Sequence, residues 1–599
     1  MSAVSHASGL RPHRAGGSLQ APASRAHAPT VILGLASVAF AVLMASRSAW
    51  VCDDAFISFR YAENLVRGLG LVFNAGERVE GYTNFLWTVW VALGLKLGAD
   101  AEGWSVAWGV VCYGAAIALL AHHARRRTRT SSAVFALPLA ALLGAVHLDW
   151  QRFATSGLET SLFTMLLVLG YVLLLSPSAP LVSAAAAGGV LAFATMTRPE
   201  GMLFAVLGGA FLLGTRRSRW RSLALFSAGY LLLWGPFAVW RLAYYGDFFP
   251  NTFYAKSGGR AWWGQGLTYA KLYFSRYWVV GAALPAAAIS LWLARPRRPG
   301  SGTPAYRARV EEASLAVAFA LGLSFYVVRV GGDFMFARML IPVTPFLLVL
   351  LELTLEPLFA LRPWAGALVA SGVLAALWWT PAPIPEGGFV SGITDEWAYY
   401  PKSKTDEQRR SAIVLRRYFA NLPVCVAFFG SEARFVYYAE PAVAIESETG
   451  LTDRWLAHQP LTRRGRVGHE KHAPIDYLIG RRGAHLVFHP LAREILNLQE
   501  HIPFVPIDFD GTRGLLLHWD PVIMAEWKRR GAKFDDFPEK LDGVLAVASQ
   551  RPAAAVRLAY RRLRLFYFDF VPDSARERQF AARIGAAPAR TGKAVPAPR

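Results

Sequence analysis

The chain has 599 residues, of which 54% are hydrophobic and only 17% are charged, and its formal net charge is +22. A water-soluble domain has closer to a quarter charged residues, so this composition excludes an ordinary soluble protein and indicates an integral membrane protein. Much of the positive charge lies in clusters between apolar runs, where basic residues orient a membrane protein, so a nucleic-acid partner is not indicated. The three cysteines, Cys52, Cys112 and Cys425, are too few and too widely spaced for a disulfide framework or a zinc site.

The N-terminal residues 1–30 are rich in Ala, Ser, Gly, Pro and basic residues, which predicts a disordered cytoplasmic N-terminus. The apolar run 31–50 follows, and its length of about 20 residues is enough to cross a bilayer as a helix. The run is too long for the core of a signal peptide and lacks a clear small-residue cleavage site. We therefore expect an uncleaved first membrane span.

Ten further apolar runs bring the predicted number of transmembrane helices to about eleven, all within residues 31–380. The segment 85–97 is only about 13 residues long, so it predicts a helix at the membrane surface and not a span. The ten runs are 104–121, 133–148, 158–175, 181–195, 202–213, 223–244, 277–294, 313–328, 340–355 and 364–380.

Basic clusters fix the predicted orientation. With a cytoplasmic N-terminus and about eleven spans, the clusters 125–127, 216–219 and 295–298 all lie inside, as the positive-inside rule requires. If 85–97 were counted as a span, the same basic clusters would lie outside, against the positive-inside rule. The same topology makes residues 51–103 the first external loop and sends the chain from residue 381 onward outside.

The C-terminal region 381–570 differs in character from the apolar part of the chain. Charged stretches, turn signals and short β-like runs at 424–429, 434–438, 486–489 and 514–518 predict a mixed α/β domain outside the membrane. Residues 551–567 are Arg-rich and amphipathic, a pattern typical of contact with anionic headgroups. Residues 571–599 predict a basic, largely disordered tail. The predicted fold class is thus an α-helical polytopic membrane protein with a C-terminal mixed α/β domain.

Two adjacent acids, Asp53 and Asp54, directly follow the first span. Carboxylates at the end of a membrane span are costly to bury in lipid, so they should face water or a lined cavity. The polar, aromatic and glycine-punctuated loop after them allows two interpretations. Either the acids only cap the next helix, or they belong to an active-site loop at the membrane surface.

Short polar segments lie at the outer ends of several other predicted spans. Carboxylates, amides and cations on one face suit a site at the outer leaflet, although interfacial anchors and helix caps would have a similar composition. The candidate substrate-binding residues are Arg60, Tyr82, Asn84, Glu159, Arg198, Glu200, Asn251, Lys256, Asp333 and Arg338, joined by His469 and Lys471 from the C-terminal region.

The residue types indicate transfer from a lipid-phosphate donor. No Walker loop, HExxH or CxxC motif occurs in the sequence. A carboxylate is able to deprotonate an acceptor hydroxyl while cations hold the leaving phosphate. We expect Arg198, Lys256 and Arg338 to include phosphate ligands, with structural pairing to Glu200 or Asp333 as the alternative. A divalent cation that bridges carboxylate and phosphate is another role for the same acids, and no metal-ligand set is assigned.

Resemblance to a known family rests on the stretches DDAFISFRYAENLVRGLGLVFNAGERVEGYTNFLW, SGLET, TRPEG, YYGDFFPNTFYAK and GGDFMFARMLIP. They resemble the multi-span GT-C glycosyltransferases that use polyprenyl-phosphate sugars, in particular the actinobacterial terminal arabinofuranosyltransferases of cell-wall arabinan. The external stretches TGLTD at 449–453 and GHEKHAP at 468–474 are similar to that group as well, so the resemblance covers roughly residues 53–477.

This resemblance implies that the catalytic acid of the first external loop is Asp53 or Asp54. It also implies transfer of an arabinofuranose-like sugar or a hexose from polyprenyl phosphate to an envelope glycan, lipid or protein, at the outer face of a bacterial cytoplasmic membrane. Residues 444–448 depart from the aspartate-led pattern expected before GLTD. Because adjacent carboxylates repel, we expect one acid to be the base and its partner to bind the donor or a metal ion. Asp54 is favoured as the base because it lies further into the loop.

A transporter or flippase for a lipid-linked glycan is the competing interpretation, and a non-catalytic envelope scaffold is a third. A transporter more often places ionisable residues within its spans and shows two similar halves. The predicted spans here carry few ionisable residues and no halves match. A scaffold would have no use for the outer acid pair, so the sequence favours an enzyme.

Overall fold

The computed structural model describes residues 28–130, 137–177, 179–215, 219–295, 303–488, 494, 496–548 and 550–585. The predicted disordered N-terminus lies outside the described residues up to residue 27. Residues 28–30, in contrast, already belong to the first helix. Most of the basic clusters 216–219 and 295–298, and the tail from residue 586, also lie outside the described residues.

Helices form most of the N-terminal two thirds of the chain. They are α1 Ala28–Arg47, α2 Ala55–Val66, α3 Phe85–Lys96, α4 Ala101–Thr130, α5 Leu139–Val146, α6 Leu148–Ala154, α7 Thr160–Leu174, α8 Pro180–Thr197, α9 Gly201–Thr215, α10 Arg219–Tyr245, α11 Asn251–Ala255, α12 Trp263–Arg276, α13 Trp278–Gly281, α14 Ala283–Leu293, α15 Pro304–Val330, α16 Thr344–Leu361 and α17 Pro363–Trp378.

Within the described residues, six helices are long and apolar enough to cross a membrane on their own. They are Pro29–Arg47, Ala101–Arg127, Pro180–Thr197, Arg219–Tyr245, Pro304–Val330 and Ile341–Phe359. The helices on either side of Tyr277 bend by 108° and would make a seventh crossing as a pair. Helices also occupy the remaining predicted runs, but several are short, so the number of eleven crossings stays a prediction.

Close backbone contacts hold the helical part together. A Cβ atom built on Gly188 of α8 would lie 2.0 Å from the carbonyl oxygen of Phe226 in α10, and one built on Gly229 would lie 2.2 Å from that of Ala185. Lipid is as apolar as the side chains, so membrane helices associate through close packing at small residues. These glycines let α8 and α10 approach to backbone contact.

The C-terminal region contains a six-stranded sheet with its own apolar core. Strands β2, β1 and β3 are parallel, and β3, β5, β4 and β6 continue the sheet in antiparallel pairs. The strands are β1 Cys425–Phe428, β2 Val443–Glu446, β3 Leu486–Val487, β4 Pro506–Phe509, β5 Thr512–Leu516 and β6 Lys533–Phe534.

Further helices follow α17 in the described part of the chain. They are α18 Glu396–Tyr399, α19 Lys402–Phe419, α20 Ala433–Ala439, α21 Arg454–Ala457, α22 Leu498–His501, α23 Pro521–Arg529, α24 Phe537–Ala548, α25 Ala553–Leu563 and α26 Ser574–Ile584. The three cysteines are free and buried.

Two predictions for this region are wrong. The predicted strand 434–438 lies in the helix α20, because Ala433, Val436 and Ala439 recur at helical spacing on one buried face. The tail from residue 571 is not disordered over its first part, since Asp573 caps α26 and Phe580 is fully buried.

The contact between α8 and α10 generates a stability prediction. Gly188→Ala is expected to destabilise the protein by about 1–3 kcal/mol, because the new methyl group must push the carbonyl of Phe226 away. Gly372→Ala is the matched control in α17, where an added Cβ meets nothing within 4 Å. The measurement is the melting temperature of the detergent-solubilised protein followed by tryptophan fluorescence. Equal melting temperatures for the two variants would contradict the close-contact account.

Candidate active site

The two adjacent acids have different surroundings. Asp53 is only 2% exposed, and its two carboxylate oxygens accept hydrogen bonds from the backbone N–H groups of Ala433, at 2.8 Å, and Arg434, at 3.0 Å. These are the first residues of α20, so Asp53 satisfies the unpaired N–H groups and faces the positive end of the helix dipole. Burial raises the pKa of the Asp53 carboxyl to about 6, against the opposing effect of Arg434. Asp53 thus caps α20, a helix that is distant in the sequence, and not the helix α2 that follows it directly.

Asp54 is the accessible member of the pair. It precedes α2 without forming a capping hydrogen bond, and its side chain is 32% exposed. The closest cation is Arg338, whose Nη1 lies 3.9 Å from the carboxylate Oδ2. Burial raises the pKa of Asp54, while Arg338, Lys256 and Arg466 act to lower it. Three cations therefore surround an acid that a ligand is able to reach.

Arg338 is held in place by the sharp turn that follows α15. Gly331 and Gly332 have φ values of 94° and 73°, which only glycine adopts readily. They turn the chain so that Asp333 lies next to Arg338. The Nε of Arg338 lies 2.8 Å from Oδ2 of Asp333, which is 3% exposed. Burial acts to raise the pKa of Asp333, but Arg338 and Lys256 hold it below its usual value. Asp333 stays ionised and orients the Arg338 guanidinium next to Asp54.

Lys256 adds a second cation from the end of α11. Its positive charge acts on both Asp54 and Asp333. Within the described parts of the chain it nevertheless forms no ion pair inside 4.0 Å. The loop 464–471 packs over it, since a Cβ on Gly468 would lie 3.4 Å from the Lys256 Cε. Lys256 is thus a confined cation with its charge available to a ligand.

Arg198 belongs to a neighbouring group that is already paired. Its Nη1 lies 2.7 Å from Glu159 and its Nη2 lies 3.0 Å from Glu200. Glu159 also accepts a hydrogen bond of 2.9 Å from the Asn84 amide. A small cavity separates this group from Arg338 and is lined by Thr160, Phe163, Arg198, Glu200, Leu323, Arg338, Met339 and Pro342. The structural pairing with Glu200 that was the alternative for Arg198 is the arrangement observed, and the corresponding pairing of Arg338 with Asp333 is observed as well.

Four other predicted residues use their polar atoms in internal hydrogen bonds. The bonds are Arg60 to the carbonyls of Phe73 and Pro441, Tyr82 to the Tyr245 hydroxyl, Asn251 to the carbonyls of Gly450 and Leu451, and Lys471 to those of Tyr254 and Ala457. Three of these residues join the first part of the chain to the C-terminal region. Their observed contacts are structural.

His469 lies at the same site as a neutral side chain. Its ring packs edge-on against Phe334, with the ring centres 4.9 Å apart. Burial and the nearby Arg466 lower the pKa of His469 to about 3, so it carries no charge at neutral pH. His469 therefore adds a hydrogen-bonding group to the site but no positive charge.

Sequence reasoning missed two residues of the site, Arg466 and Glu396. Arg466 comes from the loop 464–471, and its guanidinium lies 4.6 Å from the centre of the Phe334 ring. Its Nη2 lies 3.6 Å from Oε1 of Glu396. Glu396 lies 18 residues after the last apolar helix ends at Trp378, so a search for acids at span ends does not reach it. Arg466 has no signal of this kind either, because only the folded chain brings its loop to the acid pair.

One group of three possible metal ligands occurs among the described residues, and it lies in the C-terminal region. The ligand atoms of His485, His518 and Asp520 lie within 4.8 Å of one another. The Nδ1 of His485 accepts a hydrogen bond from the backbone N–H of Cys425, so neutral His485 carries its proton on Nε2 and offers no lone pair there. Asp520 caps α23 through the N–H groups of Val522 and Ile523. This group fits a hydrogen-bonded cap better than a metal site.

No family model matches the chain. The chain is 32% identical over 396 residues to a terminal beta-(1->2)-arabinofuranosyltransferase of Corynebacterium glutamicum, and 31% identical over 399 residues to the protein of that name in Mycobacterium tuberculosis. The alignments cover 60% and 61% of this chain and 55% and 58% of those proteins. The chain thus spans little more than half the length of the curated relatives it matches. The predicted resemblance to this group is confirmed.

A solved structure shares the fold. The crystal structure of ArnT from Cupriavidus metallidurans bound to undecaprenyl phosphate aligns with 81% of this chain and 97% of that chain, with a TM-score of 0.51 and 16% identity. At this identity the likeness concerns the fold alone. It agrees with the predicted, mostly helical membrane-protein architecture.

The different surroundings of the two acids generate a second stability prediction. Asp53→Ala is expected to destabilise the protein by roughly 1–3 kcal/mol, because it leaves two backbone N–H groups of α20 buried without acceptors. Asp54→Ala removes no hydrogen bond of this kind and serves as the control. Melting temperature and limited proteolysis of residues 381–570 report the effect. A normal melting temperature for Asp53→Ala, or an equal loss for Asp54→Ala, would refute the capping role.

Proposed function

We propose that the chain is a membrane glycosyltransferase of the GT-C type, which moves a sugar from a polyprenyl-phosphate donor to an acceptor of the cell envelope. The observation that carries the proposal is the accessible carboxylate of Asp54 among Arg338, Lys256 and Arg466. A carboxylate next to several cations fits a reaction in which a hydroxyl loses its proton and a phosphate leaves. The names of the curated relatives favour an arabinofuranose-like sugar.

The reaction that fits this geometry is a single displacement at the anomeric carbon of the donor sugar. The acceptor hydroxyl gives its proton to Asp54 as its oxygen bonds to the anomeric carbon. The bond from that carbon to the phosphate oxygen breaks, and polyprenyl phosphate leaves with the bonding electron pair. Lys256 and Arg338 stabilise the charge that develops on the phosphate. Arg198, which is neutralised by Glu159 and Glu200, is not assigned to the phosphate here.

Asp54 is the base and Asp53 is a positioning residue. Both oxygens of Asp53 accept backbone hydrogen bonds, and the side chain is almost fully buried. An acceptor hydroxyl would have to displace these bonds to reach it. Asp54 has no such bonds and is partly exposed, so it is free to accept a proton from a bound acceptor.

The proposed location is the outer face of a bacterial cytoplasmic membrane, with about eleven spans and an external C-terminal domain. Contacts between the loop 51–103 and the C-terminal region support a common side for both. Asn74 exchanges two hydrogen bonds of 2.9 Å with the backbone of Ala444, and Glu77 forms an ion pair of 2.7 Å with Arg482. The basic cluster 125–127 at the far end of α4 favours the inside for that end.

Turnover of the purified protein tests the assignment of the acids. With a polyprenyl-phosphate arabinofuranose donor and a short arabinan acceptor, Asp54→Asn is expected to lower kcat by a factor on the order of 10² to 10⁴, because the general base is lost. Asp53→Asn retains an amide oxygen that accepts one of the two N–H groups, so it should keep far more turnover. Full turnover in Asp54→Asn would exclude it as the base. Loss in Asp53→Asn alone would exchange the two roles.

Reporter fusions test the topology. A reporter that is active only in the cytoplasm should be silent when fused after residue 585, since an odd number of spans follows a cytoplasmic N-terminus. The same reporter fused after residue 127 should be active, because α4 then ends inside. A strong cytoplasmic signal at residue 585 would overturn the proposed external position of the C-terminal region.

A further inference from the structure

A cavity of about 510 Å³ lies between α1, α5 and α17, and none of the residues that line it belongs to the candidate active site. Its volume is in the range of cavities that bind small molecules. Almost all of the lining surface is apolar, and the hydroxyl of Ser37 already donates a hydrogen bond of 2.7 Å to the carbonyl of Leu33 in its own helix. An apolar cavity of this kind does not hold ordered water, so its occupant is apolar. The lining residues are Ala36, Ser37, Phe40, Leu142, Ala145, Val146, Leu374, Ala375, Trp378 and Trp379.

The cavity is open on the side of its two tryptophans. Trp379 is 79% exposed and Trp378 is 49% exposed, although both line the cavity. The Trp378 ring packs against Phe40 of α1, with the ring centres 5.9 Å apart, so α1 and α17 meet beside this opening. The helix α1 is long and apolar enough to cross a membrane. In a membrane, hydrocarbon surrounds such helices, so the cavity opens to lipid.

A cation lies on the face of α1 that lines the cavity. Ala36, Phe40 and Arg47 follow one another at intervals of four and seven residues, which places them on one face of the helix. Arg47 is the exposed last residue of α1, and in the described parts of the chain it forms no ion pair within 4.0 Å. Its charge is therefore available on the same side of α1 as the cavity.

The depth of the cavity below Arg47 matches one leaflet of a bilayer. With a rise of 1.5 Å per residue, Ala36 lies about 16 Å from Arg47 along the axis of α1. The hydrocarbon of one leaflet is about 15 Å deep, which is half of the hydrocarbon core. When Arg47 lies at the depth of a headgroup phosphate, the cavity therefore lies at the depth of the acyl chain of the same lipid.

We propose that the cavity binds one acyl chain of an anionic phospholipid of the outer leaflet, whose phosphate pairs with Arg47. This inference goes beyond the proposed function and uses only its topology, in which α1 ends outside. Free lipid is as apolar as the cavity, so the chain is held by close packing and the headgroup by the ion pair. The sugar donor is a different lipid, because its phosphate is assigned to Lys256 and Arg338.

The bound chain would pack between two helices that lead into the active site. The end of α1 is followed by the acid pair, and α17 is followed by the segment that contains Thr394. Thr394 donates a backbone hydrogen bond of 2.8 Å to the carbonyl of Phe334 and accepts one of 2.9 Å from the N–H of Phe336, in the turn that carries Arg338. A lipid that binds only the folded protein should therefore raise the melting temperature of the wild type.

Titration of the purified, delipidated full-length protein with phosphatidylglycerol, followed by native mass spectrometry, tests the proposal. Wild type should bind one phosphatidylglycerol more tightly than any other. Ala36→Phe and Ala375→Phe place a ring in the cavity from α1 and from α17, so each should weaken this binding by at least about tenfold, as the chain loses its space. Arg47→Gln should weaken it about fivefold, which is the contribution of one basic residue near a membrane surface.

Ala39→Phe is the matched control, because it adds the same ring at an exposed position of α1 that does not line the cavity. It should bind as wild type, and melting temperatures show that each variant is folded. Equal binding by Ala36→Phe and Ala39→Phe would overturn the proposal, as would unchanged binding in Arg47→Gln or the lack of a single tight site in wild type. Displacement of the phospholipid by farnesyl phosphate, one for one, would assign the cavity to the donor instead. A dimer that Ala36→Phe abolishes would assign it to a second copy of the chain.

Discussion

The hydrogen bonds between the Asp53 carboxylate and the N-terminus of α20 are the contact on which the rest of the site depends. They join the loop after the first apolar helix to the C-terminal region, and Arg434 reinforces them by donating to the carbonyl of Val51 at 2.5 Å. The C-terminal region also places the loop 464–471 over Lys256. The acid directly after Asp53 is then the one that remains accessible.

Charge balance in the site follows from this arrangement. Arg338 and Lys256 are cations that act on both Asp54 and Asp333, while Arg466 acts on Asp54 and Arg198 acts on Asp333. Among the described residues Lys256 forms no ion pair within 4.0 Å, so its charge remains available to an anionic ligand. Arg198 adds none, because Glu159 and Glu200 outweigh it. A phosphate fits such a site better than a neutral sugar alone would.

The departure noted before GLTD has a physical explanation. Glu446 accepts hydrogen bonds from the backbone N–H groups of Glu448, Thr449, Gly450 and Leu451 at 2.9–3.2 Å. Its carboxylate therefore organises the backbone of residues 448–451, so a glutamate precedes GLTD where an aspartate was expected. The loop in turn offers the carbonyls of Gly450 and Leu451 to Asn251.

The sequence by itself determined the membrane class, the positions of the apolar helices, the presence of a mixed α/β region, and the acid pair with its neighbours at the ends of apolar helices. These features depend on local composition and periodicity, which are properties of short segments of the sequence. Only the tertiary structure decided that Asp53 is buried and Asp54 partly exposed, that Arg198 is already paired, and that Glu396 and Arg466 join the site. The reason is distance along the chain: the partners of Asp53 lie 380 and 381 residues away, and no local pattern encodes a contact between segments so far apart.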